Sequence, residues 1–138
     1  VHASGDITLG FAKTAVTVED MHGQQPVVSE RTGAVIVADA RLDNRSELLA
    51  QLPESPSTSI GDAEIILRAY EAWGTDALPR LLGDFAFVLW DAAQQRVVCG
   101  RDTSGQRMLF YRLDQQTLTI ASEIHQLFVD PTIPVEPN

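Results

Sequence analysis

Apolar and polar positions alternate in twos at the start of the chain, take a helical spacing in the middle, and return to alternation afterwards. Residues 6–11 and 15–18 carry the period-2 pattern of half-buried strands, which the Gly and Pro of 22–26 interrupt. Val27-Val28 and residues 34–38 flank Arg31-Thr32-Gly33, predicting a hairpin with a deeply buried second strand. Asn44 and Glu47 have capping-box spacing before a helix whose apolar face is Leu48, Leu49 and Leu52. Residues 53–59, rich in Pro and Ser, read as an exposed loop. In 62–73, Ile66, Tyr70 and Trp73 fall at i, i+4 and i+7, and Gly74 stands at the C′ position.

A short helix is expected over 77–82, with Pro79 in its first turn and Gly83 at its end. The unbroken apolar run 85–90 predicts a strand covered on both faces. Three further strands are expected at 96–100, 108–111 and 118–121, separated by turns at 92–95, 103–105 and 114–116. Ser122 would cap a last helix reaching Phe128. Helices grouped against antiparallel strands give an α+β, layered domain.

Composition narrows the function. At 138 residues and 44% apolar content the chain suits one domain with a real core. No apolar run approaches ~18 residues, so no membrane partner is expected. No basic-then-apolar leader opens the sequence, so no secretory signal is expected. A net charge of -9 repels a phosphate backbone, which argues against a nucleic-acid partner. The single cysteine cannot form an internal disulfide and suits a cytoplasmic location.

Individual motifs define no active site. Cys99 sits in a strand without an adjacent Lys or His, and the expectation is a buried structural thiol. His2, His22 and His125 share no ligand spacing, so no metal is expected. Ser104 lacks a GxSxG frame, and Gly83, Gly100 and Gly105 form no phosphate loop. Asp62 and Glu64 favour the positive end of a helix, with ligand binding as the other use for them. Arg101-Asp102 reads as an internal ion pair tying a corner. Asp39-Ala40-Arg41, in "VADARLDNRSELLAQL" (37–52), lies where a strand meets a helix and a catalytic domain could place working groups.

The order of segments says more. "LGFAKTAVTVEDMHGQQPV" (9–27), "DAEIILRAYEAWGTDALPRLLGDFAFVLWD" (62–91), "GRDTSGQRMLFYR" (100–112) and "IASEIHQLF" (120–128) together resemble the asparagine synthetase family. The likeness is to its N-terminal glutamine-hydrolysing domain, a class II amidotransferase of the N-terminal-nucleophile (Ntn) type. The resemblance implies a four-layer α/β/β/α sandwich of antiparallel sheets. It implies a glutaminase-like domain over 1–130, without the family's first strands, and a linker at 131–138 towards an ATP-dependent synthetase domain. That domain would be the partner, in the same polypeptide or as a separate chain, with a second copy of this chain as a further candidate. ATP and Mg would belong to the synthetase domain, and no cofactor is expected in this chain.

The family's N-terminal cysteine attacks the glutamine amide, its α-amine acts as base, and an Asn-Gly pair stabilises the oxyanion. Residues 1–8 contain no Cys, and Asp39-Ala40 replace the pair. An anionic Asp39 would repel an oxyanion. Arg41 stands where a glutamate would receive the α-amine, and Lys13 where an arginine would clamp the α-carboxylate. Asp62 alone matches, at an aspartate that helps hold the amine. The resemblance thus implies a degenerate pocket of Lys13, Asp39, Ala40, Arg41 and Asp62 with no catalytic residue. The domain would be a scaffold, as in the β-lactam synthetases and lasso-peptide cyclases of the family, which join a carboxylate to an amine. A second reading is a functional glutamine-hydrolysing asparagine synthetase whose cysteine lies outside this chain. A third is a ligand-binding domain in which Arg41 and Asp62 hold another small molecule.

Overall fold

Five consecutive residues, Phe85 to Leu89, are buried without a break, and the sheet around them shows why. The computed structural model describes residues 1–12, 24–53 and 60–129. Its largest sheet has the order β3-β4-β5-β6, all antiparallel, from β3 (Val27–Val28), β4 (Val35–Leu42), β5 (Gly83–Asp91) and β6 (Arg96–Arg101). β5 is an interior strand. Its Phe85, Phe87 and Leu89 join Ile36, Ala38 and Leu42 of β4 in a core packed on α1 (Arg45–Gln51) and α2 (Asp62–Trp73). From the helices come Leu48, Ile65, Ile66 and Tyr70. Burying Ile65 and Ile66 almost completely stabilises the fold by about 1.5–3 kcal/mol each.

Because side chains alternate across a strand, the other face of the sheet carries Val37, Asp39 and Arg41 of β4. Their cross-strand partners on β5 are Val88, Ala86 and Asp84. Two small antiparallel sheets complete the described structure: β1 (His2–Ser4) with β2 (Ile7–Leu9), and β7 (Phe110–Leu113) with β8 (Leu118–Ala121). Helices packed on antiparallel sheets make this a layered α+β fold, in agreement with the Ntn-like expectation.

The edge of β4 is finished by a side chain. β3 pairs only with Val35 and Ile36. Beyond it, Gln25 Nε2 donates to the Ala38 carbonyl at 2.8 Å and Gln25 Oε1 accepts from the Ala38 amide at 2.7 Å. On the far side of the hairpin, Glu71 of α2 accepts from the Ser29 and Thr32 hydroxyls, both at 2.6 Å, and pairs with Arg31 at 3.1 Å. Burial works against the Glu71 charge, but these three partners and the Arg31 charge bring its pKa below the ordinary value.

Several local expectations need correction. The strand expected at 6–11 is the second arm of a hairpin that turns at Gly5. Asn44 is the N-cap of α1 without closing a capping box. Its side chain instead donates to the Arg80 carbonyl at 2.9 Å and accepts from the Leu82 amide at 3.1 Å, joining two distant segments. The helix expected at 77–82 is a 3₁₀ helix, Gly74–Arg80, and Gly83 starts β5 instead of ending a helix. Gly83 has φ +135, and a Cβ there would collide with the Arg41 carbonyl oxygen. The last helix is also 3₁₀, Ile124–Phe128, and its capping box uses Glu123 and Gln126, not Ser122. The strand expected at 108–111 is shifted to 110–113. The strand at 15–18, most of the 53–59 loop and the 131–138 linker lie outside the described residues.

Candidate functional site

The second face of the large sheet opens onto a cleft of about 1650 Å³. Val37, Ala86 and Val88 contribute apolar wall, with Ile120 and Ala121 of β8 also lining it. Asp39, Ala40, Arg41 and Asp62 all line this cleft, so the structure gathers four of the five candidate positions. The fifth, Lys13, lies outside the described residues.

Each charged candidate in the cleft already has a partner. Asp39, on the open face of β4, accepts from Arg107 Nη1 at 3.3 Å. Arg41 donates to Asp43 at 3.1 Å, with both side chains 61% exposed. Asp62 is the first residue of α2 and is mostly buried. One carboxylate oxygen pairs with Arg45 and the other accepts from the Leu42 amide at 2.9 Å. Arg45 also donates to the Ile60 carbonyl at 2.7 Å. The carboxylate expected to hold an amine therefore fastens the end of β4 to the start of α2. Ala40 packs its methyl against the core, as its even position on β4 requires.

Arg107 and Arg45 carry no signal in a motif search, yet both shape the cleft. Arg107 is brought there by Asp102, which is buried beside the 103–107 turn. Asp102 accepts from the Ser104 hydroxyl at 2.8 Å and from the amides of Gln106, Arg107 and Phe85 at 2.9, 3.1 and 3.3 Å. Burial opposes the charge, but these four donors hold its carboxyl far below the usual range. Arg101 does not pair with Asp102, contrary to expectation. It donates instead to the carbonyls of Arg107 at 2.6 Å and Gly105 at 2.7 Å. The corner is tied because both residues grip one turn, and that turn delivers Arg107 to Asp39.

Away from the cleft, Tyr70 donates to Asp91 at 2.7 Å, and Arg96 donates to the Tyr70 oxygen at 2.7 Å. The Tyr70 bond holds the Asp91 pKa down against burial. Cys99 is exposed, not buried, because β6 is an edge strand of its sheet among the described residues. Partial desolvation raises its thiol pKa, which disfavours a nucleophilic thiolate. Among the described residues no cluster of three or more His, Cys, Asp or Glu side chains could hold a metal ion. No described helix is long and apolar enough to cross a membrane.

With the cleft and sheets in view, comparison with known proteins settles the family. The profile of the glutamine amidotransferase domain matches residues 1–138. The chain belongs to the glutamine amidotransferase domain family. It is 32% identical over 134 residues, 96% of its length, to "Asparagine synthetase [glutamine-hydrolyzing] 2" of Bacillus subtilis (strain 168). It is 34% identical over 128 residues, 88% of its length, to a "Putative asparagine synthetase [glutamine-hydrolyzing]" of Mycobacterium tuberculosis (strain ATCC 25618 / H37Rv). "Amidase chry2" of Gibberella zeae is 32% identical over 119 residues, 86% of the chain. The chain spans about a fifth of the length of these curated relatives, 18%, 20% and 18% respectively. The resemblance read from ordered segments is thereby borne out at the level of the family.

Proposed function

We propose that this amidotransferase domain does not hydrolyse glutamine and serves as a scaffold for an ATP-dependent synthetase domain that forms an amide bond. The observation that carries the reading is the mostly buried pairing of Asp62 with Arg45 and the Leu42 amide; the exposed pairs of Asp39 and Arg41 are released at little cost. Asp39 is held by Arg107, Arg41 by Asp43, and Asp62 by Arg45 and the Leu42 amide. Glutamine presents an α-ammonium and an α-carboxylate, and each needs a partner of opposite charge that is free or cheaply released. An ammonium approaching Asp62 would meet the Arg45 guanidinium first. An oxyanion formed beside Asp39 would face a carboxylate, where loss of a single donor costs about 10²–10³ in rate. ATP and Mg would bind to the synthetase domain, and a cytoplasmic location belongs to the same proposal.

The names of the bacterial relatives favour a second reading, glutamine-dependent asparagine synthesis. Ammonia and glutamate release from glutamine by the full-length polypeptide, its native N-terminus confirmed by mass, separates the two. No release, with ATP consumed once a suitable carboxylate and amine are supplied, is the expected result. Turnover at ordinary enzyme rates would return asparagine synthesis to first place.

A further inference from the structure

The Arg107 guanidinium carries five N–H donors in a fixed fork, and its contact with Asp39 is one bond from Nη1 at 3.3 Å. Nε is sealed from solvent and has no acceptor among the described residues. A buried donor without a partner is costly and calls for an explanation. Bonding through Nη1 leaves the Nε–Nη2 edge, on which a carboxylate sits with two parallel bonds. Asp39 competes weakly, since the Arg107 and Asp39 side chains are 39% and 54% exposed and such pairs are worth little. The backbone behind Arg107 is held from two sides, by Asp102 at its amide and by Arg101 at its carbonyl. A fixed turn therefore presents the guanidinium, and its partial exposure lets the side chain rotate that edge towards the cleft.

We infer that the cleft binds a monocarboxylate with an apolar body, its carboxylate seated on the Nε–Nη2 edge of Arg107. Polarity is graded along the sheet face beneath it. Asp39 and Arg41 lie towards one end of β4 and Val37 towards the other, with Ala86 across from Asp39 and Val88 across from Val37. Two residues of strand span about 7 Å, so an alkyl body of that length anchored at Arg107 reaches Val37 and Val88. Ile120 and Met108 line the same cleft, and Met108, next to Arg107 in the chain, is 54% exposed. Each methylene withdrawn from water there raises affinity about fourfold. Arg41, a second cation on this face, is tied to Asp43. Asp39 opposes a second carboxylate at the same guanidinium, so it limits affinity in a way that a neutral side chain would lift. Glutamine carries the same carboxylate but no apolar body, and this wall gives it little. The inference goes beyond the scaffold reading and does not depend on it.

The test is calorimetric titration of the full-length polypeptide with sodium octanoate, against octanol, which lacks the carboxylate, and acetate, which lacks the body. Octanoate should saturate one site, with both controls at least about tenfold weaker. Arg107→Gln should weaken octanoate at least about tenfold. Arg107→Lys should recover only part of that loss, because an ammonium cannot form the fork. Asp39→Asn should tighten octanoate about threefold or more, by removing the opposing charge. Loss of binding can follow from misfolding but a gain cannot, so Asp39→Asn decides if the Arg107 variants fail to fold. Equal affinity for octanoate and octanol would overturn the inference, as would the absence of octanoate binding. So would an unchanged affinity in a folded Arg107→Gln protein, or an Asp39→Asn protein that binds no more tightly. Ammonia release from glutamine, measured on the same sample, would sink the inactive-site reading and leave the octanoate result to stand or fall separately.

Discussion

The backbone amide of Leu42 and the side chain of Asp62, twenty residues apart, meet at 2.9 Å. The same carboxylate pairs with Arg45, so one aspartate fixes the end of β4, the start of α1 and the start of α2. Asp62→Ala should therefore destabilise the fold by about 2–3 kcal/mol, below the range for fully buried pairs because Arg45 keeps some solvent contact. Urea unfolding of Asp62→Ala, Arg45→Ala and the double variant gives the coupling. Additive effects would mean that the pair does not hold this junction.

A cleft whose Asp62 is already paired with Arg45 should ignore glutamine. If glutamine bound with a Kd of about 1 mM, ~10 mM would stabilise the domain by about 1.4 kcal/mol. The expected change in thermal midpoint is none. A clear rise would show that the Asp62–Arg45 pair opens for an amino acid.

Acid should unfold the domain through a small set of carboxylates. Asp102, Asp91 and Glu71 all have folded pKa values held below their ordinary ones. Such groups give their full stabilisation above the unfolded carboxylate range near ~4. They lose it as pH falls through that range towards the folded values. Thermal midpoints should fall steeply below about pH 5. Asp102→Asn should lower the midpoint at pH 7 and flatten the acid slope. An unchanged slope would exclude Asp102 as a main contributor.

Two glycines should resist substitution for different reasons. Gly83→Ala places a Cβ against the Arg41 carbonyl at a positive φ and should cost at least about 2 kcal/mol. Gly100→Ala drives a methyl into the Phe87 ring of the facing strand and should cost about 1–3 kcal/mol. Restoring space with Phe87→Leu should recover part of the second loss and none of the first. Denaturant midpoints of the four variants check the distinction.

The hydropathy pattern located α2, the hairpin into β4, and β5, because periodicity records which face meets a core. It misjudged the segment after α2, since 3₁₀ and α turns share their short-range spacing and Gly83 punctuates either. Cys99 was misplaced because the exposure of a strand residue depends on whether its strand is an edge, which composition does not encode. Asp39, Arg41 and Asp62 were legible as a set through resemblance, and the fold does bring them to one cleft. Their partners were not all legible. Arg107 is 68 residues from Asp39 and arrives only because Asp102 shapes the turn before it.

Gln25 offers its side-chain amide to Ala38 as a neighbouring backbone would. A bare strand edge at that point is a template on which another chain can add itself. By occupying both the donor and the acceptor, one glutamine acts as a guard against misassembly. Replacing it with Leu should show first as turbidity on concentration or slow heating, ahead of any change in what the cleft binds.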